Sequence, residues 1–492
     1  MKVGYQKIAV DDACYLYDTA TNAIVDVPPA VHTVLEDYIR LGAQAVRREF
    51  AGRLPAEDLG QALDFLRTCR GLHMLQPLRR LDYLPFADAA NMRKQYAKGL
   101  KVMTLGITEQ CNQQCQYCPF GGADHGAPRY GNMTGETARQ SINYLLSHTD
   151  RRVAPTVDLY GGEPLLNWPI VQQAILHIRR DLRRPDVEIL LYTNATLLDR
   201  AKLEMLMANR VVLQVSLDGP AHVHDKARVL ADGRGTGTHA RVLRVLNWIR
   251  RRDSVYYRNC VRPHCTFSLE SDLLEVFRYF SRPMFRDLRI SFRYRSGGSC
   301  ASKADRARHE AQLDELVEQH LRALRERRPF HRALFAGIMQ STFGPLGKRT
   351  VGQPGKAPQP NSACVPGHPM VFVSGDGTLH PCCNYSRAAS EIGHCRSGID
   401  IDRAQRLLQT YARLCNRVCQ GCWAWRLCSH CFLRCAGADG RPSQARKEKD
   451  CRDEKQQIAQ ALRRYVHIWR NEPAWAAKVK DTLRYSVGHQ DD

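Results

Sequence analysis

Three cysteines in the order Cys111-x3-Cys115-x2-Cys118 follow directly on an apolar run, residues 102–107, that reads as a β-strand. Three thiols so close together suit a metal or a cluster better than disulfides, and on a four-iron cluster they would leave one iron open, the arrangement of a catalytic position. A second concentration lies downstream, where eleven of the 19 cysteines fall between Cys364 and Cys451. Zinc would use CxxC pairs too and often adds histidine, whereas iron–sulfur clusters take thiolates almost exclusively. Cys14, Cys69, Cys260, Cys265 and Cys300 are scattered and read as small buried hydrophobes.

Composition limits what those cysteines can be for. With 492 residues, 43% hydrophobic and 25% charged, the chain has ordinary globular make-up and length for about three domains, which excludes wholesale disorder and collagen-like fibre. No run approaches the roughly 20 apolar residues of a spanning helix. Asp11 and Asp12 interrupt the N-terminus before a secretory apolar core could form. The expected address is the cytoplasm, where thiols stay reduced and a disulfide framework makes little sense. The net charge of +22 includes Arg179-Arg180, Arg183-Arg184, Arg250-Arg251-Arg252 and Arg327-Arg328. These could meet phosphates, yet no aromatics interleave them, and an acidic peptide would be attracted equally.

The elements that must position the first triplet alternate along the chain. Strands are expected at 102–107, 157–160, 188–193, 211–217, 264–269 and 288–293, separated by helical stretches such as 135–147 and 169–182. Repeated βα units imply a parallel sheet, open or closed, with chemistry at the strands' C-terminal ends. Ahead of it, 13–18 and 23–27 read as two strands around a turn at 19–22. Helices follow near 30–40 and 56–68, with a closing wing at 71–75. Leu313, Leu316, Val317, Leu321 and Leu324 mark a packed helix within 302–328, and the Gly- and Pro-rich 344–362 reads as a linker.

The CxxxCxxC triplet, with Tyr117 before its last cysteine, resembles the radical S-adenosylmethionine (SAM) superfamily. Strand two ends in Gly161-Gly162-Glu163-Pro164, similar to the family's GGEP segment, which contacts the methionine amino group. Two glycines permit close backbone approach, and a carboxylate pairs with an ammonium. Strand three ends in Asn194, strand four in Ser216-Leu217-Asp218-Gly219, and His224–Arg228 resembles an HDxxR stretch. The resemblance thus implies a SAM site drawn from Tyr117, Gly161, Gly162, Glu163, Asn194, Ser216, Asp218 and Arg228, on a cluster held by Cys111, Cys115 and Cys118.

The C-terminal window resembles the SPASM extension, which carries auxiliary four-iron clusters. Cys364, Gly377 and Cys382 match its opening, and Cys419, Cys422 and Cys428 match its centre. The next cysteine departs from the pattern: position 432 is Phe, with Cys431 one residue early and Cys435 three late. The resemblance implies one cluster on Cys419, Cys422, Cys428 and Cys451. A second would sit on Cys364, Cys382 and Cys431, with Cys383, Cys395 or Cys435 as alternatives for its fourth ligand, or with an open iron.

SPASM-bearing enzymes mostly modify peptides or proteins, and the 419–432 segment resembles maturases that crosslink side chains of ribosomally made peptides. The fold implied is a partial (β/α)6 TIM-like barrel over 100–300. It carries a winged-helix-like peptide-recognition domain at 1–85, a bridging helix and linker at 301–360, a SPASM domain at 361–455 and a helical tail at 456–492. The first of these would bind a leader peptide as an added edge strand. By the same resemblance the cofactors are three [4Fe-4S] clusters and SAM, and the partners a precursor peptide and a flavodoxin- or ferredoxin-type electron donor. The 5′-deoxyadenosyl radical made from SAM would abstract hydrogen from the peptide, and an auxiliary cluster would take the electron released when a thioether or carbon–carbon bond closes. Residue oxidation or quinone-cofactor maturation is the alternative within the family. RNA modification and simple electron transfer are alternatives outside it.

Overall fold

A computed structural model describes residues 2–118, 131–231, 237–294, 302–347, 349–354, 364–384, 390–437 and 440–473. The chain begins with an antiparallel sheet of β1 (Tyr5–Val10), β2 (Ala13–Asp18) and β3 (Ala23–Val27), followed by helices Pro29–Leu41, Ala43–Glu49 and Ala56–Gly71. Asn22, at φ 61°, turns β2 into β3; asparagine tolerates that left-handed conformation better than most residues. The expected wing at 71–75 is not a strand. Leu75 N–H donates instead to the Asp18 carboxylate at 2.9 Å, and the same carboxylate caps the hairpin turn through Thr21. The third strand is β1, where only Ile8 and Val10 are buried, a pattern too short to read from sequence.

The next strands are β4 (Val102–Thr108), β5 (Gln113–Cys115), β6 (Thr156–Gly161), β7 (Glu188–Thr193), β8 (Val212–Ser216), β9 (Arg228–Leu230), β10 (Val261–Phe267) and β11 (Ser291–Tyr294). Six of them pair in the order β4-β6-β7-β8-β10-β11, every pair parallel, each strand beside its successor. This is the expected (β/α)6 succession, and β11 ends the sheet, so the barrel stays partial. The six strand positions read from sequence all appear. Met103, Leu105, Ile107, Val157, Leu159, Leu191, Leu213 and Val215 form the outer core against the helices.

Beyond β4 the sheet continues into β12 (Met370–Val373), parallel to β4, and then antiparallel through β13 (Thr378–His380), β14 (Gly393–His394) and β15 (Gly398–Ile399). The cysteine-rich segment is thereby joined to the barrel by a continuous hydrogen-bonded sheet. Helix Arg332–Gly347, with Pro345 inside it, occupies part of the stretch expected as linker; 355–362 lies outside the described residues, as does Cys300. Helix Gln444–Asn471 starts twelve residues before the expected tail and carries Cys451, while 474–492 lies outside the described residues.

The first sheet leans on the C-terminal half. Tyr15 meets Trp469 at 6.1 Å, Tyr17 meets Trp423 at 6.2 Å, and Arg426 donates to the carbonyls of Ala20, Thr350 and Gly352. Its other face covers its own helices through Leu16, Val27, Val31 and Leu35, a core separate from that of the barrel.

Candidate functional site: three cysteines at the barrel mouth and a second cysteine cavity

At the C-terminal end of β4 the chain turns into the loop of Cys111, Cys115 and Cys118. β5 within this loop pairs antiparallel with β9, setting Cys115 opposite Arg228. Arg228 is 6% exposed and Asp218 2%, and the guanidinium donates to both carboxylate oxygens at 2.7 and 3.1 Å. The Tyr117 hydroxyl donates to the same carboxylate, Thr266 N–H donates to it at 3.0 Å, and the Arg228 guanidinium stands 5.3 Å from the Tyr117 ring centroid. Burial would raise the Asp218 pKa, but the Arg228 charge and these hydrogen bonds outweigh it and hold the carboxyl below its ordinary value. Both oxygens of Asp218 are therefore committed. It anchors the cysteine loop to the end of β8. Arg228, also expected at the cofactor, acts through the same anchor and comes within 3.9 Å of the Cys115 sulfur.

The two glycines have a reason that sequence did not reveal. Gly161 has φ +132°, and a Cβ there would meet the Thr108 carbonyl at 2.2 Å; a Cβ on Gly162 would meet the Gln110 carbonyl at 2.2 Å. Gly162 N–H and Glu163 N–H donate to those carbonyls at 2.7 and 2.8 Å. The close approach is thus to the cysteine loop's own backbone. Glu163 is fully buried, and its carboxylate accepts from Leu165 N–H, Thr193 Oγ1 and Asn194 N–H. Burial pushes its pKa up to about 7, against those three hydrogen bonds. Asn194 donates to Asn112 at 2.8 Å, tying strand three to the same loop. Ser216 ends β8, half-buried beside His264 in the ladder.

Burial raises the Cys111 and Cys115 thiols to about 12 and about 11, with Arg228 opposing it at Cys115, so a metal would have to displace their protons. All eight expected cofactor residues lie on the loop or at the ends of strands surrounding it.

The second site lies between helices Ile401–Val418 and Gln444–Asn471. A cavity of about 280 Å³ is lined by Cys419, Cys422, Cys428 and Cys451, together with Trp425 and Lys455. Lys447, fully buried, has Cys419, Cys415, Cys428 and Cys451 as electrostatic neighbours, which hold its pKa above the ordinary value despite burial. Its ammonium donates to Tyr411 at 3.2 Å. A buried cation beside four thiols suits a site that becomes negatively charged when the thiols ionise. Lys447 and Cys415 went unnoticed in the sequence, although both sit one helical turn from a motif cysteine (447 to 451, 415 to 419). Among the described residues no three His, Cys, Asp or Glu side chains converge closely enough to hold a metal ion.

A third group is looser. Cys364 and Cys382 have Cys431 as a common neighbour. Cys395 is not with them: its sulfur approaches Gln140 at 3.9 Å and abuts Gly377 on the outer side of the sheet. Cys435 donates to the Phe432 carbonyl at 3.4 Å in a buried cluster with Tyr411 and Cys415. Cys383 neighbours Cys382 and has Arg293 and Asp158 as charged neighbours.

A partial parallel barrel thus presents a pinned three-cysteine loop beside a buried glutamate. Residues 105–263 match the Radical SAM superfamily, and the chain carries a radical SAM domain. It is 24% identical over 195 residues to the cysteine-type anaerobic sulfatase-maturating enzyme of Clostridium perfringens, covering 39% of this chain and 51% of that one. To the GTP 3′,8-cyclase of Xanthomonas campestris pv. campestris it is 32% identical over 140 residues, 27% of this chain and 39% of the cyclase. The chain spans about half the length of the curated relatives it matches. The solved structure of native anSMEcpe with bound AdoMet and Cp18Cys peptide shares its fold, with a TM-score of 0.53 at 17% identity over 78% of this chain and 99% of that one. No helix among the described residues is long and apolar enough to cross a membrane.

Proposed function

We propose that the protein is a radical SAM peptide maturase that installs an intramolecular crosslink in a ribosomally made precursor peptide. The observation that carries the reading is the coexistence of two unlike cysteine sites, a three-thiol loop at the barrel mouth and a four-thiol cavity beyond it. Cys111, Cys115 and Cys118 would hold the first four-iron cluster. Glu163, an electrostatic neighbour of Cys111, would receive the methionine ammonium, whose charge would offset the burial of its carboxylate. When bound, SAM and the reduced cluster supply one-electron chemistry able to remove a hydrogen atom from an unactivated carbon. Arg228, Asp218 and Tyr117 hold the loop in register, and Asn194 fixes the adjoining strand end.

Cys419, Cys422, Cys428 and Cys451 would hold an auxiliary cluster that accepts the electron released on bond closure, with Lys447 compensating its charge. Cys364, Cys382 and Cys431 would hold another with an open position. A flavodoxin- or ferredoxin-type protein would donate the first electron. The N-terminal sheet would take the leader along a free edge; β3, with one neighbour only, is an edge strand and mostly part-exposed. A protein-residue oxidase is the second reading, favoured by the likeness to the sulfatase-maturating enzyme.

The test is anaerobic cluster reconstitution followed by reductant and SAM, with 5′-deoxyadenosine measured with and without peptides encoded nearby. A peptide that loses two hydrogens and resists fragmentation between two side chains supports crosslinking. The same loss in a peptide that fragments normally supports oxidation, and absence of deoxyadenosine contradicts both readings.

A further inference from the structure

The two C-terminal cysteine groups meet at one turn, Cys428-Ser429-His430-Cys431. Its first cysteine lines the cavity of about 280 Å³, while its last is the common neighbour of Cys364 and Cys382. Only two residues separate the thiols, and both must be held if each sulfur is to keep to its own site. The helix Gln444–Asn471 supplies one face for this: Lys447, Asp450, Cys451 and Glu454 fall at i, i+3, i+4 and i+7.

Ser429 is held by Glu454, which is 5% exposed. The Ser429 N–H and hydroxyl both donate to Glu454 Oε1, at 3.0 and 2.7 Å, and Arg434 donates to the other carboxylate oxygen at 2.7 Å. Burial would raise the Glu454 pKa, but the Arg434 charge and these hydrogen bonds outweigh it and hold the carboxyl below its ordinary value. His430, fully buried, is held by other groups. Its carbonyl accepts from the Tyr411 hydroxyl, which accepts in turn from Lys447 at 3.2 Å, and its Nε2 lies 3.4 Å from the Asp450 carboxylate. Arg434 and Glu454 line the separate cavity of about 760 Å³ beside β11, so they grip the turn from outside the four-thiol space. A buried ion pair adds little net stability over apolar groups of similar volume. What this one supplies is an acceptor for a backbone N–H that an apolar residue would leave unpaired.

We infer that Glu454 and Arg434 are positioning residues that divide this turn between the two C-terminal sites, directing Cys428 into the four-thiol cavity and Cys431 to Cys364 and Cys382. The inference rests on the auxiliary-cluster reading and extends it to residues outside both ligand sets. It also gives the displaced cysteine a physical account. With Cys431 only three residues after Cys428, the turn that parts the two sites is short, and each of its inner residues carries its own clamp.

The test uses the anaerobically reconstituted full chain, read by iron content, electron paramagnetic resonance and the rate of iron release to a ferrous chelator. Glu454→Ala is expected to release the iron of both C-terminal sites about 10–100-fold faster than wild type, as lost outer-shell partners do, and to leave the SAM-responsive signal unchanged. Arg434→Met, which strands the carboxylate, should also release both. Arg434→Met combined with Glu454→Gln keeps an acceptor for Ser429 without the charges and is expected to restore slow release. Where Glu454→Ala does not fold, Arg434→Met against the double variant makes the same comparison. Wild-type release in the single variants, faster release from one C-terminal site only, an equal effect on the SAM-responsive signal, or no recovery in the double variant each overturns the inference. A wild type holding only about four irons contradicts the auxiliary-cluster reading instead, and hydrogen exchange then decides the positional claim. A Ser429 amide that exchanges about tenfold faster in Glu454→Ala than in wild type supports it, and equal exchange overturns it.

Discussion

The barrel-mouth loop and the C-terminal cavity both gather cysteines, yet they are stabilised in opposite ways. At the mouth, three thiols ride on a short ribbon whose position is fixed by a buried ion pair, Arg228 with Asp218, and by backbone contacts that exclude any side chain at Gly161 and Gly162. In the cavity, four thiols come from a helix end, the turns after it and the following helix, with Lys447 as the buried cation among them and Lys455 on the lining. The first arrangement spends its polar contacts on holding a loop still. The second surrounds its contents and supplies compensating charge. Such a difference is what a catalytic cluster and an electron-storing cluster would require of their surroundings.

The sharpest way to break the comparison is to remove one thiol from each site. Cys115→Ala is expected to lose about four irons per chain and all SAM cleavage, whereas Cys428→Ala should lose about four irons and retain deoxyadenosine formation without peptide, as read by iron analysis and chromatography. Loss of cleavage in both would merge the two roles. A smaller effect is expected from Arg228→Met, which strands the Asp218 carboxylate. Removing one partner of a buried pair costs about 3–5 kcal/mol, so the denaturant midpoint should fall markedly, and Arg228→Met combined with Asp218→Asn should recover part of it.

Lys447→Met probes the other region. Removing the cation should shift the auxiliary cluster's reduction potential downward in a redox titration and leave that of the barrel-mouth cluster in place. The smallest expected effect concerns Asp158 on the lumen floor, whose carboxyl accepts from Thr104 at 3.0 Å and is pushed by burial from 3.8 to about 7. Because the folded carboxyl holds its proton more tightly than the unfolded one, this contribution to stability is greatest below pH 3.8 and is lost as pH rises through about 7. Asp158→Asn should therefore raise the thermal midpoint at pH 8 relative to wild type, with the difference vanishing toward pH 4.

The chemistry-bearing residues were legible because they recur at fixed short spacings. CxxxCxxC, Gly161-Gly162-Glu163 and Cys419-x2-Cys422 are local patterns, and the six strands announced themselves as short runs alternating with helical stretches. What sequence could not show was the company those residues keep. The pairing of Arg228 with Asp218, ten residues apart and on different elements, depends on β9 folding back over β5. The helix Ile401–Val418 carries buried Ala404, Leu408, Tyr411 and Cys415 at helical spacing, a pattern overshadowed in the sequence by the cysteine motifs that flank it. Likewise β12 joins the barrel across more than 260 residues of chain, a pairing that no local pattern records.

The basic residues also resolve into local duties. Arg179 donates to the carbonyls of Arg184, Val187 and Asn209, and Arg250–Arg252 end a helix whose C-terminal dipole favours positive charge. These placements give part of the +22 charge a structural account that calls for no nucleic acid.

The most direct test of two unlike cluster sites is electron paramagnetic resonance of the anaerobically reduced protein before and after SAM is added. The account predicts that SAM changes one cluster signal, that this signal is absent from a Cys111→Ala, Cys115→Ala, Cys118→Ala variant, and that the signal remaining in that variant does not respond to SAM. A SAM response that survives removal of those three cysteines, or none in the wild type, would contradict it.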